Sequence, residues 1–285
     1  MLHTTLVCVD TVKQHINNPN WIIIDCRFSL MDNEAGAKAY RMGHIPNAHY
    51  AHIEKDLSSA ITSHTGRHPL PTLNSLVKKL GSWGISNKSQ IIVYDDAYGA
   101  FAGRLWWLLR YLGHDAVAVL DGGVQHWQSK QLPLTTTLPS NKPRIFRPYT
   151  DISAQISAEQ LSNQLAFNKI KLIDARTAER FSGQSESIDP IAGHIPKAIN
   201  HPFQLNLNTN GLFLSKDKLH SQFSHLLGTT SPENTVHMCG SGITACHNLL
   251  AMEHAGLNGS KLYPGSWSDW ITNQNRSIAT NHPQG

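Results

Sequence analysis

The sequence predicts an α/β protein of two tandem domains, each a mainly parallel sheet with helices on both faces. Three observations lead there. The chain has 285 residues, long for one compact domain. It contains its own pattern twice, in the same order. Within each half, short apolar runs of strand character alternate with stretches of helical periodicity, which is the signature of parallel sheets covered by helices.

The repeat is carried by four matches. Trp21-Ile-Ile-Ile-Asp25-Cys-Arg27 pairs with Ile170-Lys-Leu-Ile-Asp174-Ala-Arg176, and Gly43-His-Ile-Pro-Asn-Ala48 with Gly193-His-Ile-Pro-Lys-Ala198. Ile91-Ile-Val-Tyr-Asp95 pairs with Thr235-Val-His-Met-Cys239, and Val119-Leu-Asp-Gly122 with Trp127 pairs with Leu262-Tyr-Pro-Gly265 with Trp270. The offsets run only from 143 to 150 residues, so the repeating unit is a whole domain and not a short solenoid repeat. The expected division is a first domain over 1–132, a linker over 133–150 and a second domain over 151–285. Between Pro133 and Pro148 several prolines, Thr/Ser and basic residues show little periodicity, as a linker does.

Helices follow from spacing and caps. Leu73, Leu76, Val77 and Leu80 fall at i, i+3, i+4 and i+7, with Thr72 as N-cap and Gly81 at the end. Arg104 to Tyr111 reads as a helix closed by Gly113. Ser157-Ala-Glu-Gln160 is a capping box, with Ile156 and Leu161 placed as a hydrophobic staple. Leu219, Phe223, Leu226 and Leu227 make a helix ending at Gly228.

The most informative segment is Cys239-Gly-Ser-Gly-Ile-Thr-Ala245, between an apolar strand run and a helical stretch that ends near Gly256. It puts one thiol at the carboxyl end of a strand, then a tight small-residue turn, then a helix N-terminus. Loop N–H groups and the helix dipole converge there and stabilise a thiolate nucleophile. In a parallel sheet the loops beyond the strands' carboxyl ends build the site. The first-half counterpart of Cys239 is Asp95, which is no thiolate nucleophile. The second half is therefore expected to be catalytic, with the first half lending residues to it.

Bulk properties exclude several classes. Apolar content of 40% and charged content of 15% are those of a globular chain. The net charge of +4 comes without a Lys/Arg cluster, so no nucleic-acid partner is implied and small anionic substrates fit equally well. The first ten residues lack a basic region and reach Asp10 too early for a signal peptide. No apolar run is long enough to span a membrane. Four scattered cysteines, Cys8, Cys26, Cys239 and Cys246, suit a reducing cytoplasm. The 17 histidines form no HExxH and no cysteine pair has CxxC spacing, so no metal site is expected. Cys246 reads as a small buried residue.

These motifs resemble the two-domain rhodanese superfamily from about Thr5 to about Ile271, through the two Gly-His-Ile-Pro motifs and the late Gly265-Ser-Trp-Ser-Asp-Trp270. The Cys239 loop is similar to that of the 3-mercaptopyruvate sulfurtransferases. Thiosulfate-specific relatives carry a basic pair where this chain has Gly240 and Ser241. The resemblance implies that Cys239 takes sulfane sulfur from a small anionic donor, holds it as a persulfide and passes it to an acceptor such as thioredoxin or a small thiol, with no cofactor. Arg180 in Glu179-Arg-Phe-Ser-Gly183 would bind the donor anion, and Gly240, Gly242, Ile243 and Thr244 would line the donor loop. A Ser-His-acid relay would map onto Ser241, His68 and Glu54, with Asp56 as a rival to Glu54. Mercaptopyruvate enzymes usually add a second arginine some nine residues after the first. Here Ser185-Glu-Ser-Ile-Asp189 holds none, and Lys197 and Arg176 are the candidates to replace it.

The sequence leaves three alternatives. Thiosulfate is the runner-up donor. A cysteine phosphatase needs an arginine about six residues after the cysteine, where Ala245 stands. A non-catalytic binding module agrees with Asp95 but not with the intact Cys239 loop.

Overall fold

The computed structural model describes residues 2–281. The chain divides into two compact units. Unit 1 takes the chain up to Ser59, Leu70–Asp151 and Thr209–Phe213. Unit 2 takes Ala60–Pro69, Ile152–Asn208 and the chain from Leu214 onward. The segment 60–69, read from sequence as part of the first half, thus folds with the second. Residues 133–151 belong to unit 1. Backbone bonds tie them down there, among them Arg144 N–H to Gly81 O and Tyr149 N–H to Leu112 O, both 2.9 Å.

Unit 1 contains, in chain order, β1 (Leu6–Val7), α1 (Val9–His15), β2 (Trp21–Asp25), α2 (Ala35–Met42), β3 (Ala48–Tyr50), α3 (Leu73–Ser82), β4 (Gln90–Tyr94), α4 (Ala102–Tyr111), β5 (Val117–Leu120) and α5 (Gly123–Ser129). Its sheet is parallel, in the order β1-β5-β4-β2-β3. All five residues of β4 are buried, so both faces of the central strand are covered.

Unit 2 contains α6 (Ala158–Ala166), β6 (Lys171–Asp174), α7 (Ala178–Ser182), β7 (Ile199–Asn200), α8 (Lys216–Leu227), β8 (Thr235–Met238), α9 (Ala245–His254), β9 (Lys261–Leu262) and α10 (Ser266–Trp270). Its parallel order is β7-β6-β8-β9. A single parallel bridge from Gln155 to Leu262 stands where β1 pairs with β5 in the other unit.

The repeated motifs have one physical role in both units. Arg27 forks onto Asp25 (2.6–3.1 Å) and donates to Gly43 O at 2.7 Å. Arg176 forks onto Asp174 (2.7–3.1 Å) and donates to Gly193 O at 2.8 Å. Each pair is buried, and each locks a strand end to its Gly-His-Ile-Pro loop. His44 stacks on Tyr40 and His194 on Phe181, with ring centroids 4.0 and 3.9 Å apart.

The caps follow the local sequence. Thr72 Oγ1 accepts from Ser75 N–H, and α3 runs one residue past the expected Gly81. The Ser157–Gln160 capping box is formed in both directions. Ile156 and Leu161 join the core of unit 2 with Leu172, Val236, Met238, Trp267 and Trp270.

Candidate active site

The site is built at the carboxyl edge of the unit 2 sheet. β6 and β8 pair with Asp174 opposite Met238, so the loops carrying Arg176 and Cys239 leave the sheet side by side. Cys239 is only 2% exposed. The Gly242 N–H donates to its Sγ at 3.2 Å. Gly242 has φ +77°, and a Cβ there would lie 2.3 Å from Pro264 O, so the turn admits only glycine.

The start of α10 straps this loop from the other side. Trp267 N–H bonds Cys239 O at 3.0 Å and Ser268 N–H bonds Gly240 O at 2.9 Å. Cys239 N–H donates to Ser266 Oγ at 3.1 Å, and that hydroxyl donates to Tyr263 O at 2.9 Å. Ser266 holds φ +54°, a strained conformation for a residue with a side chain, costing roughly 1–2 kcal/mol. Its two hydrogen bonds, at about 1 kcal/mol each, offset that strain.

Two guanidinium groups stand over Gly240. A Cβ there would lie 2.8 Å from Arg67 Nη2 and 3.5 Å from both terminal nitrogens of Arg180. The missing side chain is what admits the cations. Two buried carboxylates hold them. Arg180 Nε donates to both oxygens of Glu186 at 3.0 Å, and its Nη2 donates to Asp189 Oδ2 at 2.9 Å. Arg67 Nη1 donates to Asp189 Oδ1. Glu186 is fixed further by the amides of Ile188 (2.9 Å) and Asp189 (3.0 Å). Burial lowers the Arg67 pKa and the charge of Arg180 adds to this, while Cys239 and Glu186 oppose it. Arginine stays a cation throughout.

Two residues past the nucleophile, Ser241 Oγ lies 2.7 Å from His68 Nδ1, and both residues are buried. Arg67 and His68 are neighbours on the segment Ala60–Pro69, itself part of unit 2. Ser268 Oγ accepts from Arg67 N–H at 3.0 Å and so anchors that segment beside the cysteine loop. Ile243 is buried, and Thr244 is the N-cap residue of α9, without a side-chain cap. Glu54 lies exposed in unit 1, where Asn33 donates to its carboxylate at 3.3 Å. Its rival Asp56 accepts from His52 N–H at 2.9 Å and pairs with Lys79 at 2.8 Å.

The rhodanese-like domain model matches this chain twice, over residues 9–130 and 157–273. The chain belongs to the rhodanese family. Over 282 residues this tandem rhodanese is 44% identical to a probable 3-mercaptopyruvate sulfurtransferase of Pseudomonas aeruginosa, covering 98% of this chain and 99% of that one. It is 30% identical to the thiosulfate sulfurtransferase of Bos taurus over 276 residues, 95% of this chain and 91% of the relative. The crystal structure of SseA from Escherichia coli, described with the fold and mechanism of 3-mercaptopyruvate sulfotransferases, superposes with a TM-score of 0.80 at 31% identity. That match covers 93% of this chain and all of that one.

Four residues around the rhodanese loop escaped the sequence reading: Arg67, Glu186, Asp189 and Ser266. The sequence places no cation at positions 240 and 241, yet the loop is flanked by positive charge from positions 67 and 180. Of the two candidates for the second arginine, Arg176 reaches this ion cluster, with Nη1 3.6 Å from Glu186 Oε2, and Lys197 is held elsewhere. Lys197 Nζ caps Leu165 O and Asn168, at 2.8 and 2.9 Å, and the rest of the Arg176 fork is held by Asp174. The position nine residues after Arg180 is Asp189.

Proposed function

We propose that the protein is a sulfurtransferase that takes sulfane sulfur from 3-mercaptopyruvate onto Cys239 and hands it to a thiol acceptor. The Cys239 thiolate attacks the donor sulfur. The carbon–sulfur bond breaks, its electron pair passes to carbon, and the leaving pyruvate enolate takes up a proton. Cys239 keeps the sulfur as a persulfide. An acceptor thiolate, on thioredoxin or a small thiol, then attacks the outer sulfur and frees Cys239. Arg180 docks the donor carboxylate through its planar fork. The Gly242 N–H and the turn around Gly240, Ile243 and Thr244 hold the negative sulfur. All four cysteines are free, in keeping with a reducing cytoplasmic setting.

The observation that carries the choice of donor is the 2.7 Å contact between Ser241 and His68. An enolate needs a proton as it leaves, and a hydroxyl backed by imidazole delivers one near neutral pH. Thiosulfate, the second reading, is favoured by the paired guanidiniums above Gly240, because it carries two negative charges and releases sulfite without protonation.

Steady-state kinetics with both donors side by side test the proposal. The kcat/KM for mercaptopyruvate is expected to exceed that for thiosulfate. Mass spectrometry after donor treatment is expected to find one added sulfur on the Cys239 peptide. A faster reaction with thiosulfate overturns the donor assignment, and sulfur on any other cysteine overturns the mechanism.

A further inference from the structure

The ion triad above the cysteine loop holds more than one docking charge. Asp189 lies between two arginines, with one carboxylate oxygen toward Arg67 and the other 2.9 Å from Arg180 Nη2. Its side chain is 2% exposed, against 25% for Arg67 and 18% for Arg180. The carboxylate is therefore sunk beneath the guanidiniums, and their outer edges face the loop at Gly240. Arg67 Nε is buried and has no hydrogen-bond partner among the described residues. A buried N–H of this kind costs on the order of 1–3 kcal/mol unless an acceptor meets it. Arg67 thus has donor capacity beyond what Asp189 uses.

The geometry points to a two-arginine docking site in which Arg67 binds the anionic sulfur donor together with Arg180, while Asp189 and Glu186 balance the two guanidinium charges and Asp189, which touches both arginines, weights the site against a doubly charged donor. This rests on the reading of Cys239 as the acceptor of sulfur from a small anion. Arg67 does the work of the second arginine that is absent from the 180–193 loop, and it comes from a segment more than a hundred residues upstream. Asp189 holds both forks in place, which keeps the site preorganised before the donor arrives. It also limits what the site rewards. Coulomb energy is linear in the charge of the ligand. One added negative charge beside the site therefore penalises a dianion such as thiosulfate about twice as much as a monocarboxylate such as mercaptopyruvate.

This makes the ratio of the two donors the informative readout. In Asp189→Asn the amide oxygen still accepts from one arginine, but the charge is gone. The ratio of kcat/KM for thiosulfate to that for mercaptopyruvate is expected to rise several-fold. In Arg67→Ala the KM for both donors is expected to rise by about tenfold or more, the loss of one charge-assisted contact. Thiosulfate should lose more than mercaptopyruvate, so the ratio moves the opposite way. Arg67→Lys keeps the charge without the fork and should hold the ratio while recovering part of the KM. If Arg67→Ala does not fold, Arg67→Lys and Asp189→Asn carry the test. An Asp189→Asn enzyme that loses both donors by the same factor would show a purely structural ion pair and overturn the inference. So would a folded Arg67→Ala enzyme with unchanged KM values. Donor preference in the wild type judges the function proposed above. The shift of the ratio between variants judges this inference, whichever donor is the faster.

Discussion

The two units build the same loop and fill it differently. In unit 1 the residue that follows β4 is Asp95, and its carboxylate accepts four backbone N–H groups: Ala97 at 2.8 Å, Gly99 at 2.9 Å, Phe101 at 2.8 Å and Ala102 at 2.8 Å. In unit 2 the residue that follows β8 is Cys239, whose sulfur takes the Gly242 N–H. The frame around both is shared. Val124 N–H bonds Asp95 O at 3.0 Å, as Trp267 N–H bonds Cys239 O at 3.0 Å. A strand, a tight turn and a helix start make a ring of donors that calls for a negative group. Unit 1 meets that demand permanently with its own carboxylate. Unit 2 meets it with a thiol that can leave and return as a nucleophile. The surroundings differ in the same sense. Met31 stands six residues after Asp25, as Arg180 stands six after Asp174, and Ala97 stands two after Asp95, as Ser241 stands two after Cys239. The fold supplies the cradle, and the added cations and the hydroxyl turn it into a site.

The hardest test of this comparison is to move the nucleophile. Cys239→Ser is expected to abolish sulfur transfer from both donors. Adding Asp95→Cys to it is expected to restore nothing, since unit 1 lacks the arginine and the serine. Cys8→Ser, Cys26→Ala and Cys246→Ala should keep most of the activity. Transfer measured with the double variant above background would show that the loop alone suffices.

The next effect in size concerns the proton. Ser241→Ala and His68→Ala are each expected to lower kcat for mercaptopyruvate by about two orders of magnitude, the usual worth of a positioned acid. Thiosulfate turnover should fall far less. Equal losses for both donors would assign the pair to loop structure. Arg180→Ala follows. Loss of a charge-assisted contact worth about 1.5–3 kcal/mol should lower kcat/KM by roughly one to two orders of magnitude, with Arg180→Lys rescuing only part. An unchanged kcat/KM would make Arg180 a partner of Glu186 and nothing more.

How much of this was legible depended on whether a feature is local in sequence. The parallel sheets, the capping box at Ser157 and the helix ending at Gly228 are written in spacings of a few residues, and they formed as read. The cysteine loop was legible because a thiol, two glycines and a helix start are contiguous. Arg67 was not, because nothing in a Ser/Thr-rich stretch reveals which side chain will reach a loop far along the chain. Its neighbour His68 entered only through family resemblance. In the sequence Asp189 shows only as the absence of an arginine, and its partnership with Arg67 and Arg180 exists only in three dimensions. In the sequence Asp95 shows only as a residue that cannot be a thiolate nucleophile. Its grip on four amides depends on the turn that those amides form.

The smallest expected effect isolates the strap. Gly123 in unit 1, with φ +58°, stands where Ser266 stands in unit 2, with φ +54°. Both backbones turn the same way, and glycine is the residue that does so without strain. A serine there accepts roughly 1–2 kcal/mol of conformational cost, and its hydroxyl takes the Cys239 N–H at 3.1 Å. The hydroxyl therefore fixes the backbone of the nucleophile, a constraint that Asp95 in its four-amide grip does not need. Ser266→Gly converts this position to the unit 1 version. Relief of strain offsets the lost hydrogen bonds, so stability by calorimetry should change by less than about 1 kcal/mol. The Cys239 N–H loses its acceptor, the loop loosens, and kcat should fall about fivefold for both donors, the equivalent of about 1 kcal/mol. Ser266→Ala keeps the strain and loses the hydroxyl, so it should be the less stable of the two while matching the kcat loss. If Ser266→Gly runs at the wild-type kcat, the strap is a remnant of the shared fold and the cysteine is held by Gly242 and Trp267 alone.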